Sequence, residues 1–298
     1  MKAPQPSSEG PWTILKLLEW TTGYFKTQAI DNPRSTAEVL LAHALGLQRL
    51  DLYLQYDRPM NADELRAFKT LIKRRLAREP VAYITGSREF WSLDFHVNRD
   101  VLIPRPETEC LVETAVAVVD AWDAGRPGRI LELGTGSGAV IISLAGERPG
   151  HRYFASDISS AALSVARANS ASHGKEAILF FAGDWLAPVT CAGEGFDLVL
   201  SNPPYIRRSD IDGLQPEIHR YEPRQALNGE EDGLGSLRRL IETAPDCLRE
   251  GGHLLLEIGY GQEPDVEAMA RLSGRYDQTA FAKDYSGIAR VVKLRRGA

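Results

Sequence analysis

The 298-residue chain is 43% hydrophobic with a formal net charge of −5, enough apolar side chain for one large domain or two modest ones, and its acidic balance argues against holding long nucleic acid on a broad basic surface. Three cysteines, Cys110, Cys191 and Cys247, lie far apart without metal-ligand or redox spacing, so no metal and no structural disulfide are expected. Residues 1–10 lack the charged start and apolar core of a signal peptide, and no apolar run approaches the roughly 20 residues that span a bilayer, so a cytoplasmic protein away from the membrane is expected.

From 12 to 79 every strong pattern is helical. Ile14, Leu17, Leu18 and the stretch 21–25 make one amphipathic segment. Asn32-Pro33 reads as the cap and first-turn pair of a second, in which Ala37, Leu40, Leu41, Ala44 and Leu45 share a face before Gly46 ends it. A short segment at 49–55 follows. Asn61 and Glu64 then form a capping-box pair ahead of a helix with Leu65, Phe68, Ile72 and Leu76 on one side. Its other side carries Lys69, Lys73, Arg74, Arg75 and Arg78; such a run serves an acidic partner or RNA, or more commonly is only a solvated face. A small all-α bundle over 1–80 is predicted.

The pattern changes at Pro80. Two extended-looking pieces, 84–91 and 93–97, are joined by a polar turn, which predicts a β-hairpin connector over 81–100. In Leu102-Ile103-Pro104-Arg105-Pro106-Glu107-Thr108-Glu109 the prolines hold an extended segment, and Pro106 opens a helix running through Leu111, Val112, Ala115, Val116 and Val119. Read from the residues alone, Arg105 and Glu107 equally decorate a helix start.

After a linker at 123–128, strand and helix alternate, the signature of a doubly wound parallel sheet. A buried strand at 129–133 runs into Gly134-Thr135-Gly136-Ser137-Gly138 and a helix at 139–145. Glycines there let a ligand approach the backbone and the helix amino end. The spacing Gly-x-Gly-x-Gly departs from the dinucleotide fingerprint Gly-x-Gly-x-x-Gly. A second strand, 152–156, ends at Asp157, about 20 residues after the glycines, where an acid accepts hydrogen bonds from the ribose hydroxyls of an adenosine-containing ligand. A helix at 160–172 and a strand at 177–181 lead to Gly183-Asp184-Trp185. That acid and aromatic suit the edge and face of adenine, or equally a loop tucked into the core.

The fourth strand, 196–200, ends in Ser201-Asn202-Pro203-Pro204-Tyr205. Two successive prolines have fixed φ and no N–H, and Asn202 before them is pushed toward extended backbone. The stiff loop presents the Asn202 side-chain oxygen and the Pro203 carbonyl as paired acceptors, with the Tyr205 ring as a wall. That setting suits a planar group bearing NH2, whether an amide or an exocyclic base amine. Four strand ends, at Gly134, Asp157, Trp185 and Asn202, converge on the carboxyl edge, where open α/β sheets bind ligands. Beyond lies a polar stretch without periodicity, 207–232, read as a lid, a partner surface or a partly disordered loop. A helix at 235–248, a strand at 253–258, a helix at 266–272 and two strands at 277–281 and 287–294, placed to pair antiparallel, close the chain.

Five motifs in order carry a resemblance: Gly86-Ser87-Arg88-Glu89-Phe90-Trp91, Ile103-Pro104-Arg105-Pro106-Glu107-Thr108-Glu109, Leu133-Gly134-Thr135-Gly136-Ser137-Gly138, Ser201-Asn202-Pro203-Pro204-Tyr205 and Asp284-Tyr285-Ser286-Gly287-Ile288-Ala289-Arg290. Over nearly its whole length the chain resembles the class I S-adenosylmethionine-dependent methyltransferases, and more closely the protein-glutamine N5-methyltransferases that modify peptide chain release factors. Asn-Pro-Pro-Tyr is shared with adenine-N6 methyltransferases; the segment around Arg105-Pro106-Glu107-Thr108 favours the release-factor enzymes. The resemblance implies an α/β protein: a Rossmann-like class I methyltransferase domain over 101–298, and a small N-terminal all-α domain over 1–80 that binds the release factor. By the same resemblance Gly134, Thr135, Gly136, Ser137 and Gly138 line the methionine part of S-adenosylmethionine, Asp157 holds its ribose, Asp184 and Trp185 border adenine, and Asn202 adjoins it. Asn202, Pro203 and Tyr205 are the implied catalytic residues, and Pro204, Arg105 and Glu107 complete the substrate site. The implied substrate is the glutamine of a Gly-Gly-Gln loop, with S-adenosylhomocysteine as by-product. A monomer that binds no DNA is expected.

Overall fold

The computed structural model describes residues 11–122, 126–189 and 195–298. The predicted tail 1–10, part of the predicted linker at 123–128, and Cys191 lie outside them. The chain divides into two units, Met1–Gly86 and Ser87–Ala298.

In the first unit the local signals become α1 (Ile14–Thr27), α2 (Pro33–Leu45), α3 (Arg49–Leu54), α4 (Ala62–Leu76) and α5 (Val81–Thr85). Asn61 and Glu64 form the reciprocal capping box of α4. Asn32, by contrast, is left-handed with φ 47° and makes no side-chain cap; α2 starts instead on Pro33, whose preset φ and missing donor suit a first turn. Apolar faces meet around Ile14, Leu18, Phe25, Leu40, Phe68 and Ile72, each contributing about 1.5–3 kcal/mol over an exposed position. The basic run of α4 is largely spent on structure. Arg75 is buried and donates to the Glu79 carbonyl at 3.3 Å, Arg74 pairs with Glu79 at 2.8 Å, and Arg78 donates to the carbonyls of Ala29 and Gln28 at 2.9 and 3.0 Å. The piece read as extended over 84–91 splits. Its first residues belong to α5, because the Pro80 carbonyl accepts the N–H groups of Tyr83 and Ile84 at 3.1 and 3.0 Å and closes a helical turn.

The second unit opens with an antiparallel hairpin, β1 (Ser87–Phe90) and β2 (Leu93–His96). It continues with α6 (Glu109–Asp120), β3 (Arg129–Leu133), α7 (Ala139–Glu147), β4 (Arg152–Asp157), α8 (Ser160–Ser172), β5 (Leu179–Ala182) and β6 (Phe196–Ser201). The polar stretch after β6 holds short helices, among them α9 (Pro216–His219) and α10 (Arg224–Leu227). Then come α11 (Gly235–Thr243), β7 (Leu248–Glu257), α12 (Glu263–Ser273), β8 (Tyr276–Lys283) and β9 (Ala289–Arg296). Seven strands form one sheet in the order β5-β4-β3-β6-β7-β9-β8. The first five are parallel, and β9 pairs antiparallel with both β7 and β8. This is the Rossmann-like class I methyltransferase sheet. β7 begins earlier than the predicted 253, since Leu248 already pairs with Phe196 ahead of a register shift.

Side chains alternate across the sheet. Ile130 and Leu198 join Leu111 of α6 and Ile141 of α7 in one core layer, while Leu131 and Val199 join Leu237 of α11 and Val266 of α12 in the other. Strand order reverses on either side of β3, so a crevice opens at the carboxyl ends of β3 and β6. Pairing of Leu133 with Ser201 sets the turns that follow these two strands side by side. The hairpin is tied to this region by Asn169 of α8, whose Oδ1 accepts the His96 N–H at 2.8 Å and whose Nδ2 donates to the carbonyls of His96 and Ser137 at 3.0 and 2.8 Å. Cys247 is disulfide-bonded, against the expectation drawn from sequence spacing, which says nothing of closeness after folding; Cys110 is a buried free thiol. Among the described residues no helix is long and apolar enough to cross a membrane.

Candidate active site

β3 feeds a turn in which Gly134, Gly136 and Gly138 have φ of 69°, 56° and 82°, the left-handed region that side chains disfavour. The turn is held by the Thr135 N–H donating to the Ser156 carbonyl at 2.9 Å and the Gly138 N–H donating to the Thr135 carbonyl at 2.8 Å. Gly134, Thr135, Gly136 and Ser137 line the cavity at the strand ends. Gly138 stands back from the wall: a Cβ there would meet Ile142 Cδ1 at 2.8 Å and Ala166 Cβ at 3.3 Å, so its missing side chain serves the packing of α7 on α8.

Asp157 ends β4 and lines the same cavity. Its Oδ2 accepts the Gly136 N–H and its Oδ1 the Ser159 N–H, each at 2.9 Å. Two backbone donors therefore fix the plane of the carboxylate, while each oxygen keeps a lone pair for a further donor. Trp185, at a φ of 52°, sets its ring 3.7 Å from where a Gly134 Cβ would stand. Asp184 lines the cavity too, but its carboxylate is gripped by Arg239 at 3.2 and 2.8 Å.

The turn after β6 is fastened at Ser201, Asn202 and Tyr205. Ser201 Oγ donates to the Leu133 carbonyl at 2.7 Å. Asn202 Nδ2 donates to Thr108 Oγ1 at 3.1 Å, which turns the oxygen end of the amide away from Thr108. The Tyr205 hydroxyl donates to Glu257 Oε1 at 3.2 Å, and its carbonyl accepts Gln262 Nε2 at 3.3 Å. Glycine is required at 229, where a Cβ would lie 2.8 Å from Tyr205 Cα. Asn202 and Pro204 line the cavity, whereas the buried Pro203 and the half-buried Tyr205, both expected in the site, are not among its lining residues. Burial and the neighbouring Glu257 push the Tyr205 hydroxyl pKa well above its ordinary value. Arg105 also reaches the wall and pairs at 2.5 Å with Glu222, which additionally accepts the Ile103 N–H at 3.1 Å. Glu107 is exposed and is not among the lining residues.

Sequence reasoning passed over four groups: Thr108, Glu132, Glu222 and Glu257. The signal for two of them was present as a carboxylate inside an apolar strand, in Leu131-Glu132-Leu133 and in Leu255-Leu256-Glu257. Asp197, buried at the opposite end of β6, shows the ordinary use of such a group. It is matched by Arg126 at 2.6 Å, the Arg129 N–H at 2.7 Å and Arg249. Glu132 is 2% exposed and pairs with no cation among the described residues; it accepts the Thr135 hydroxyl at 2.5 Å. Burial pushes its pKa up to about 8, with the Asp157 charge adding to the rise and the Thr135 and Ile141 hydrogen bonds opposing it. Glu257, 1% exposed, is pushed up to about 7, again chiefly by burial. Buried carboxyls at the ligand edge whose pKa burial pushes up are the kind of group that working sites collect.

Two family models match the chain, the "PrmC N-terminal domain" over residues 16–86 and the "Methyltransferase small domain" over residues 111–215. A protein of Geobacter sulfurreducens described as release factor glutamine methyltransferase is 42% identical, covering 96% of this chain and 98% of its own length. Proteins of Chlorobaculum tepidum and Rhodopirellula baltica with the same description are 40% and 36% identical, over 95% and 98% of this chain and 97% and 99% of their own. Among solved structures, the human methyltransferase 10 domain containing protein superposes with a TM-score of 0.52 at 15% identity, over 70% of this chain and 90% of that one. A methyltransferase from Pyrococcus furiosus gives 0.50 at 17%, over 78% and 98%. At such identities the structures speak for the fold alone.

Proposed function

This chain belongs to the release factor glutamine methyltransferase family, and we propose that its acceptor is the side-chain amide nitrogen, N5, of the glutamine in a Gly-Gly-Gln loop of peptide chain release factors. The methyl donor is S-adenosylmethionine, and the products are N5-methylglutamine and S-adenosylhomocysteine. The helical region over 1–80 binds the release factor away from its loop. The observation that carries the reading is the gathering, on one cavity wall, of the glycine turn, the Asp157 carboxylate and the Asn202 side chain.

The chain's residues suit that donor. Glycines of positive φ leave the backbone open at the start of α7, Asp157 retains a lone pair on each oxygen for a ribose diol, and the Trp185 ring offers a flat face for adenine. When bound, the cofactor supplies a methyl group made electrophilic by its sulfonium. Resonance makes an amide nitrogen a poor nucleophile, so the protein's task is orientation. The Asn202 oxygen and the Pro203 carbonyl accept the two N–H bonds and turn the nitrogen's π face toward the donor. Holding two reactants in one geometry contributes up to about 7–11 kcal/mol, the scale needed where no strong base or covalent step is used. The surplus proton leaves to water once the methylated nitrogen has become acidic. Two acceptors in place also reject glutamate, which has no N–H to give them, by roughly 10⁴-fold.

The test is transfer of label from S-adenosylmethionine to a release factor, to its Gln→Ala loop variant, and to DNA and RNA. Label confined to the intact loop is expected. Label in nucleic acid with none in the release factor would overturn the reading.

A further inference from the structure

We infer that Arg239 is a positioning residue for the cofactor: it fixes the Asp184 carboxylate as the acceptor that recognises the exocyclic amine of adenine. The inference rests on the functional reading above and adds a residue outside it. Arg239 is not among the lining residues of the cavity, whereas Asp184 is, so Arg239 acts on a ligand through Asp184.

The main chain and the side chain of Asp184 are held from different directions. One residue before it, the Gly183 N–H donates to the Asp157 carbonyl at 3.0 Å, which sets Asp184 directly after a tie to the acid assigned to the ribose. The Asp184 carbonyl then accepts the Ala187 N–H at 3.1 Å, closing a turn with Trp185 in the left-handed region at a φ of 52°. These bonds settle where the Asp184 Cβ lies and leave the side chain, 48% exposed, to be directed by something else. That direction comes from α11. Its first turn brings Ser236 to the cavity wall, and Arg239, three residues on, shares that side of the helix. Arg239 grips the carboxylate with both ends of its fork, Nη1 on Oδ1 at 3.2 Å and Nη2 on Oδ2 at 2.8 Å. Two parallel bonds from a planar guanidinium fix the plane of a carboxylate as well as its distance. They take one lone pair from each oxygen and leave another on each.

An exposed pair of this kind adds little to stability; its consequence here is orientation. A carboxylate only accepts, so it suits the one exocyclic donor on adenine's edge, the 6-amino group. A ligand that meets an unheld carboxylate must also bear the entropy of immobilising it. With Arg239 in place that side chain is already ordered before the ligand arrives.

The test uses full-length wild type, Arg239→Ala, Arg239→Lys, Asp184→Ala and the double alanine variant. Each is titrated calorimetrically with S-adenosylhomocysteine and with the analogue whose base is unsubstituted purine, hydrogen replacing the 6-amino group. Thermal midpoints are taken alongside. Wild type is expected to bind the adenine form about 10- to 100-fold more tightly, as one hydrogen bond to a charged group provides. Arg239→Ala is expected to reduce that preference about 3- to 10-fold, with the purine form bound within about 2-fold of wild type and the midpoint within about 3 °C. Arg239→Lys keeps the charge without the fork and falls between. Asp184→Ala abolishes the preference, and the double variant matches it. A general loosening of the site would weaken both ligands alike and leave the preference where it was. A preference unchanged or increased in Arg239→Ala overturns the inference while leaving the function intact, as does wild type that binds both forms equally. Wild type that binds neither form and methylates no release factor overturns both.

Discussion

Replacing Asp157 with asparagine isolates the carboxylate that organises the cavity. The substitution keeps one oxygen and puts an NH2 where the other stood. One of the two backbone donors now at 2.9 Å, Gly136 N–H or Ser159 N–H, then faces another donor. A hydrogen bond to a charged group is worth about 1.5–3 kcal/mol, and the half-exposed position of Asp157 sets the loss near the lower figure. For a unit of this size that lowers Tm by roughly 3–6 °C. The ribose would lose one of its two acceptors at the same time, for a further loss of about 1.5–3 kcal/mol, which raises the Kd for S-adenosylhomocysteine roughly 10- to 100-fold. Calorimetric titration with S-adenosylhomocysteine, alongside thermal unfolding followed by circular dichroism, separates the two effects. A variant with lowered Tm and unaltered cofactor affinity would show that Asp157 serves only to brace the glycine turn, and would remove it from the ligand site.

Asn202→Ala is expected to cut kcat by at least about 100-fold with cofactor Kd changed less than about 3-fold; single-turnover methylation at near-normal rate would show that another group holds the amide. Glu132, with a folded-state pKa of about 8 against an ordinary 4.5, binds its proton more tightly when folded, so its contribution to stability falls as pH rises across that window. Urea midpoints measured through the window should therefore slope less steeply in Glu132→Gln, and an identical slope would contradict the assignment. Glu222→Ala leaves Arg105 and the Ile103 N–H without their acceptor. It is expected to cost about 2–3 kcal/mol, below the range for a fully buried pair because Arg105 reaches solvent. An unmoved denaturation midpoint would show that the 207–232 stretch is held by other contacts.

The sequence alone determined the architecture and most of the cavity wall. Strand and helix periodicity, the glycine turn and the double proline are local properties, and local properties are readable in order along the chain. Gly134, Asp157, Trp185 and Asn202 meet at one edge because parallel strands must all end there. What only the tertiary structure decided was which partner each polar group took. Asp184 is shared with Arg239, Arg105 with Glu222, and most of the basic run on α4 is tied to its own unit. Gly138 stands behind the wall it was expected to form. The cysteine expectation failed for the same reason. Asn202 is hydrogen-bonded to Thr108, 94 residues earlier in the chain, and Tyr205 to Glu257, 52 residues later. Hydrogen bonds of that reach leave no periodicity in a sequence, since their geometry exists only once the sheet has brought distant strand ends together.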